Sequence, residues 1–219
     1  MAQLITAAGT LRTEAIAEGS ESKTIVSKWI DAITTEVANG NVKSEGGLTG
    51  PTVSARLYSM IGTAAYEAWQ LTDSQSKSSI GLGSGIEAFS GEKLDTLISA
   101  TILKVAELES SGITEEGLKN LRDLAITEEA KNLRVFINSP DFRANERIDK
   151  VSSSIAAAIE NLYGADGYDL PQTYTPVSSG PGNVIDIEKW TPEYNSSGNT
   201  NSGLQTYLTP QWGELTPFA

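Results

Sequence analysis

The chain has 219 residues, 39% of them hydrophobic, which is enough for one sizeable core or two small ones. Its formal net charge of -12 argues against nucleic acid as a partner, because phosphate backbones are bound by clustered Lys and Arg and no basic stripe stands out. The sequence has no cysteine, excluding disulfides and thiolate zinc sites, and no histidine, removing the usual general base and the commonest metal ligand and with them catalytic triads and zinc hydrolases.

In residues 1–20, Thr, Gly, Arg and Glu interrupt every short apolar run, so no basic-then-apolar signal peptide is expected. No later stretch approaches the roughly 18 apolar residues of a membrane span. The expectation is a soluble, cytoplasmic protein with no membrane partner.

Between residues 22 and 38 the apolar positions Ile25, Val26, Trp29, Ile30, Ile33 and Val37 have the three-and-four spacing of one buried helix face, ended by Asn39-Gly40. After a Gly-rich joint at 45–50, Pro51 suits a first helical turn, and Val53, Leu57, Ile61, Ala64, Ala65 and Ala68 form the next stripe. Gly62, Ala64 and Ala65 predict a close helix-helix approach there. A polar linker fills 73–85. Ser90 then offers an N-cap for a helix carrying Leu94, Leu97, Ile98, Thr101, Ile102, Val105 and Leu108. Thr114 with Glu115, Glu116 and Gly117 reads as a cap with acids in the first turn, leading to Leu118, Leu121 and Leu124 and a break near Thr127. A short helix over 128–137 is interrupted by Ser139-Pro140. Residues 144–163 then place Ile148, Val151, Ile155, Ile159 and Leu162 on one face.

Beyond Gly164 the period is lost, and most of the prolines and a run of Ser, Asn and Gly fall there. The predicted architecture is all-α: an N-terminal segment (1–21), a helical bundle of five or six helices (22–163) and a long irregular arm (164–219). Trp190, Tyr194, Tyr207, Trp212 and Phe218 make the arm aromatic, and packing on its own helices or on a second chain would each account for them.

Other motifs have plainer readings. The glycines of Ile80-Gly81-Leu82-Gly83-Ser84-Gly85 follow no strand and are spaced too closely for a dinucleotide fingerprint, so a linker is expected. The pairs Glu115/Glu116 and Glu128/Glu129 fall at helix starts, where the dipole favours acids. Asp166-Gly167-Tyr168-Asp169 has oxygens suited to calcium but lacks the twelve-residue loop pattern, and reads as a turn. Asn195-Ser196-Ser197 matches a glycosylation acceptor, a pattern frequent by chance and irrelevant without secretion.

Residues 50–69, GPTVSARLYSMIGTAAYEAW, resemble a helix near the start of bacterial vanadium-dependent haloperoxidase-like proteins, where a Pro, an Ala-Arg pair and an Ala-Met-Tyr-Asp-Ala stretch recur; Glu67 stands here in place of the Asp. Trp190-Thr191-Pro192, and then residues 204–219, LQTYLTPQWGELTPFA, resemble that family's Trp-x-Pro and Leu-Thr-Pro-x-Trp-Gly-x-Val-x-Pro-Phe-Ala passage, and Trp29 lies in a similar leading helix.

The resemblance covers most of this chain and about the first half of the family's length. The other half carries a Lys and an Arg near an Arg-Pro pair, a Pro-Ser-Gly-His motif and a late Arg and His, which hold vanadate or phosphate. None is matched here, and Ser178-Ser179-Gly180-Pro181 shares only Ser-Gly with the motif. A tetrahedral oxyanion needs convergent cationic and backbone donors, and the covalent step needs an imidazole.

The resemblance therefore implies a scaffold with no catalytic, cofactor-binding or metal-binding residue of its own. Vanadate, if used, would belong to a complementing catalytic half on another chain or in a further C-terminal region, with a homo-oligomer as the other partner expectation. Arg56, Tyr66, Glu67, Trp69, Trp190, Pro210, Trp212 and Phe218 are the family-matching positions and the candidates for structural or interface roles. The alternative is a non-enzymatic structural or self-assembling interaction protein derived from that family.

Overall fold

The computed structural model describes residues 23–43, 51–73, 75–82, 92–136, 142–168 and 174–207, the side chains of 92, 127–136 and 142–145 excepted. Among these residues all the regular structure is helical. The α-helices are α1 (Ile25–Ala38), α2 (Pro51–Gln70), α3 (Glu92–Ala106), α4 (Glu115–Phe136) and α5 (Phe142–Tyr163), with short 3-10 turns at Glu109–Ser111 and Thr200–Ser202. None of these helices is long and apolar enough to cross a membrane.

Local chemistry sets the ends. Thr24 accepts the Ser27 amide at 3.2 Å to start α1. At its other end Gly40 adopts φ +76° and its amide reaches the Val37 carbonyl at 3.1 Å, the left-handed stop that only glycine takes without strain. Thr114 Oγ1 accepts the Gly117 amide at 3.3 Å, and Glu115 and Glu116 occupy the first turn of α4. Ser90, the expected cap of α3, lies outside the described residues.

Helix α3 is the central element and packs against each of the other four; α5 also packs on α2. Leu97, Ile98, Thr101, Ile102 and Val105 are buried along α3, as their spacing requires. They meet Trp29 and Ile33 of α1, Leu57, Met60, Ile61 and Ala64 of α2, Leu118 and Leu121 of α4, and Ile148, Ile155 and Ile159 of α5. Trp29 is fully buried, and its indole donates to Ser99 Oγ at 3.0 Å, so the largest core residue leaves no orphan N–H. An isolated bridge, Val42 with Ile113, ties the exit of α1 to the entry of α4.

Three local expectations are corrected. Helix α4 runs through Thr127 to Phe136 without the predicted break, joining what had read as two segments and placing positions Glu128 and Glu129 inside the helix and not at a start; Thr is only a mild helix former and no Pro or Gly stands there to stop it. On α5 the buried face ends on Tyr163, four residues after Ile159, while Leu162 is exposed. Gly62 faces outward with nothing near its missing Cβ; the close approach on α2 is made by the buried Ala64, Ala65 and Ala68 instead.

Candidate functional site

Helix α2 carries four of the family-matching positions, and its fold divides them into an inward pair, Arg56 and Glu67, and an outward pair, Tyr66 and Trp69. Arg56 is buried. Its Nη1 donates to the Ser110 carbonyl of the 3-10 turn. Its Nη2 donates to the Tyr163 carbonyl at the end of α5 at 2.6 Å, and its Nε donates to Asp166 Oδ2 at 2.8 Å. The Tyr168 ring lies 3.8 Å from the guanidinium carbon. One planar cation thus caps the α5 C-terminus, where helix carbonyls want positive charge, and pairs with the turn that leaves it.

That turn is built to meet it. Asp166 Oδ1 accepts the Tyr168 amide at 2.9 Å while Oδ2 faces Arg56. Asp166 and Tyr168 therefore form the expected turn, with the carboxylate committed to Arg56; Asp169 lies outside the described residues. Nearby, Tyr163 Oη contacts Ser59 Oγ at 2.7 Å, and Ser110 Oγ donates to Glu160, so the same junction carries a second layer of polar contacts.

Glu67 is fully buried and performs a similar task about three turns along α2 from Arg56. Its Oε1 accepts both the amide and the hydroxyl of Ser79 at 2.6 Å, and its Oε2 accepts Gln70 Nε2 at 3.2 Å. Gln70 Oε1 remains buried with no hydrogen-bond partner. The carboxylate pins the 75–82 segment to α2. Within that segment Ser78 Oγ accepts the amides of Ile80 and Leu82 at 3.2 and 2.8 Å, so the described start of the glycine-spaced stretch satisfies its own amides; 83–85 lie outside the described residues.

Tyr66 and Trp69 are 39% and 42% exposed, with ring centroids 5.9 Å apart, and Tyr66 Oη donates to the Lys77 carbonyl at 2.8 Å. Trp190 is exposed, edge-on to Tyr207 at 6.0 Å, and Tyr207 meets Tyr174 edge-on at 5.0 Å. Pro210, Trp212 and Phe218 lie outside the described residues. Among the described residues, Trp190 and the α2 aromatics have separate ring partners.

The arm's described part is irregular yet internally bonded. Tyr194 bridges Leu204, Asn195 donates its amide to the Gly203 carbonyl at 2.9 Å, and Gln205 donates to the Glu193 carbonyl at 2.7 Å. Asn195 Nδ2 is itself engaged, donating to the Ser202 and Leu204 carbonyls at 3.0 and 3.3 Å, so the sequon's amide serves a loop closure.

Sequence reasoning missed Glu36, which is buried on α1 and accepts from Asn41 Nδ2 at 2.7 Å and Asn120 Nδ2 at 3.0 Å. It also missed Ser79, Ser110 and Asp166 as partners. The only local signal was a charged or polar residue set within an apolar stripe, at positions 36, 56 and 67. Among the described residues no group of three or more His, Cys, Asp or Glu side chains is placed to hold a metal ion.

Fold and site together define an all-α bundle whose buried ionic side chains are committed to joining its own segments. Compared with known protein families, curated proteins and solved structures, the chain has no significant match.

Proposed function

We propose that this chain is the scaffold half of a vanadium-haloperoxidase-like or acid-phosphatase-like assembly, whose vanadate- or phosphate-binding site is carried by another chain or a further C-terminal region. The observation that carries the reading is the fate of Arg56. It is the buried cation of the segment that resembles the family, and each of its three nitrogens already donates within the chain, to two main-chain carbonyls and to Asp166. Such a guanidinium shapes a fold and has no donor fork left to clamp a tetrahedral oxyanion. Glu67, matched to the family's Asp, is spent on Ser79 and Gln70 in the same way.

The absence of histidine from this sequence supports the same division of labour, because the imidazole that bonds the oxyanion must then come from elsewhere. The test is turnover. Purified chain supplied with vanadate, peroxide and bromide, or with a phosphomonoester, is expected to show no rate above buffer, and a co-expressed chain carrying Pro-Ser-Gly-His is expected to restore it. Vanadate-dependent turnover by the homogeneous chain would overturn the reading. A complex that never forms, together with reversible self-association, would favour the self-assembling alternative.

A further inference from the structure

Residues 178–189 form two successive turns closed by their own hydrogen bonds. Asn183 donates its amide to the Gly180 carbonyl at 3.1 Å, and Ile185 donates to Ser178 Oγ at 2.9 Å, with Ser178 itself buried. A second turn follows: Glu188 donates to Asp186 Oδ1 at 2.9 Å and Lys189 donates to the Asp186 carbonyl at 3.2 Å. The tip of that turn is Ile187, 92% exposed, with Ile185 at 67% and Val184 at 53% beside it. Among the described residues, none of the three belongs to the bundle's core or packs against it. Three branched aliphatic side chains fixed by polar turns and left in water gain nothing for this chain's own stability.

We propose that Ile187, with Val184 and Ile185, is a preformed anchor that inserts into an apolar pocket rimmed by Lys and Arg on a partner protein. The charge on the page selects this occupant. Asp186 and Glu188 flank the anchor, residues 174–207 carry Asp186, Glu188 and Glu193 against Lys189 alone, and the whole chain is at -12. A second copy would bring like charge to like, and an anionic lipid surface would be repelled in the same way. A cationic protein surface is attracted by the rim and desolvates the tip, and because the turns are already made, little ordering entropy is lost on docking. The partner's identity as the oxyanion-binding half rests on the scaffold reading, since a chain that holds vanadate or phosphate must concentrate cations.

The experiment places a photo-crosslinking amino acid at position 187 of the full chain in its native cells, identifies the cross-linked protein and peptide, and measures binding with both proteins purified. The expected result is one protein, cross-linked through an apolar peptide with neighbouring Lys or Arg. Its affinity should fall with added salt and drop roughly tenfold or more for Ile187→Asp, while Ser197→Asp, which adds the same charge to an exposed site of the arm, changes it little. Cross-links confined to copies of this chain or to lipid, no cross-link at all, or binding indifferent to Ile187→Asp would overturn the proposal. Titrating the captured protein with orthovanadate separates the two readings. Ile187-dependent docking by a protein that binds no oxyanion keeps the anchor and refutes the scaffold reading, whereas an oxyanion-binding partner indifferent to Ile187 does the reverse.

Discussion

Arg56 joins three parts of the chain that have no local reason to meet: α2, the 3-10 turn at Ser110, and the exit of α5 at Tyr163 and Asp166. Removing it takes the cation from the buried Asp166 Oδ2 and a donor from each of the Ser110 and Tyr163 carbonyls, leaving Asp166 with the Tyr168 amide on its other oxygen and the Tyr163 carbonyl with the 3.4 Å Asp166 amide. Arg56→Met is therefore expected to cost about 3–5 kcal/mol, a fall in Tm of roughly 6–20 °C for a chain of this size, read by thermal or urea denaturation. Arg56→Lys should recover only part of the loss, because an ammonium cannot span carbonyls and carboxylate with one planar fork. A loss below about 1 kcal/mol in Arg56→Met would mean that the junction is held by the apolar packing around it. Asp73 gives a test of the opposite kind at the surface. The Ser76 hydroxyl, and then the Gln75 amide, hold its carboxyl below the usual carboxylate range. A folded-state value depressed below the unfolded 3.8 contributes stability that is present above the unfolded value and lost as pH falls through the folded one. Asp73→Ala should thus flatten the acid limb of the stability profile below about pH 4 while leaving neutral pH the more affected side, and an unchanged acid limb would show that the turn forms without the ionised group.

At the scale of elements, Gly117 shows where packing reverses propensity. A Cβ there would meet Ile113 Cγ2 at 2.9 Å and the Asn41 main-chain oxygen at 3.1 Å, where the first turn of α4 presses on the exit of α1. Gly→Ala inside a helix ordinarily stabilises by about 1 kcal/mol. Gly117→Ala is expected instead to destabilise by about 1–3 kcal/mol, because backbone on the far side of the contact has to move. Equilibrium unfolding gives the sign directly, and a stabilised variant would refute the close approach. The helices themselves were legible in the sequence because their burial follows a single period: the stripes of α1, α3 and α5 begin where Ile25, Leu94 and Ile148 begin them. The errors arise where a local rule meets a tertiary one. Thr127 reads as a break only if α4 must stop being useful there, and Leu162 reads as core only until Tyr163 is seen to reach Ser59. Gly62 looks like a contact residue by size alone, yet it lies on the open side of α2.

For the molecule as a whole, the candidate site was legible in its residues but not in its pairings. Arg56 and Glu67 could be picked out in α2, but Asp166 is 110 positions from Arg56 and no period links them. Glu36 and Asn120 are separated by 84 positions in the same way. Once paired, these groups account for how an acidic chain with no histidine keeps ionic side chains inside its bundle: each is consumed in closing the fold. On the proposed function the oxyanion chemistry lies outside this chain and Arg56 is unavailable to it. The most direct measurement is a calorimetric titration of the purified chain with orthovanadate, and then with phosphate, at neutral pH. The account predicts no saturable heat from either anion for wild type. Stoichiometric, saturable binding of either one that is lost in Arg56→Lys would contradict it.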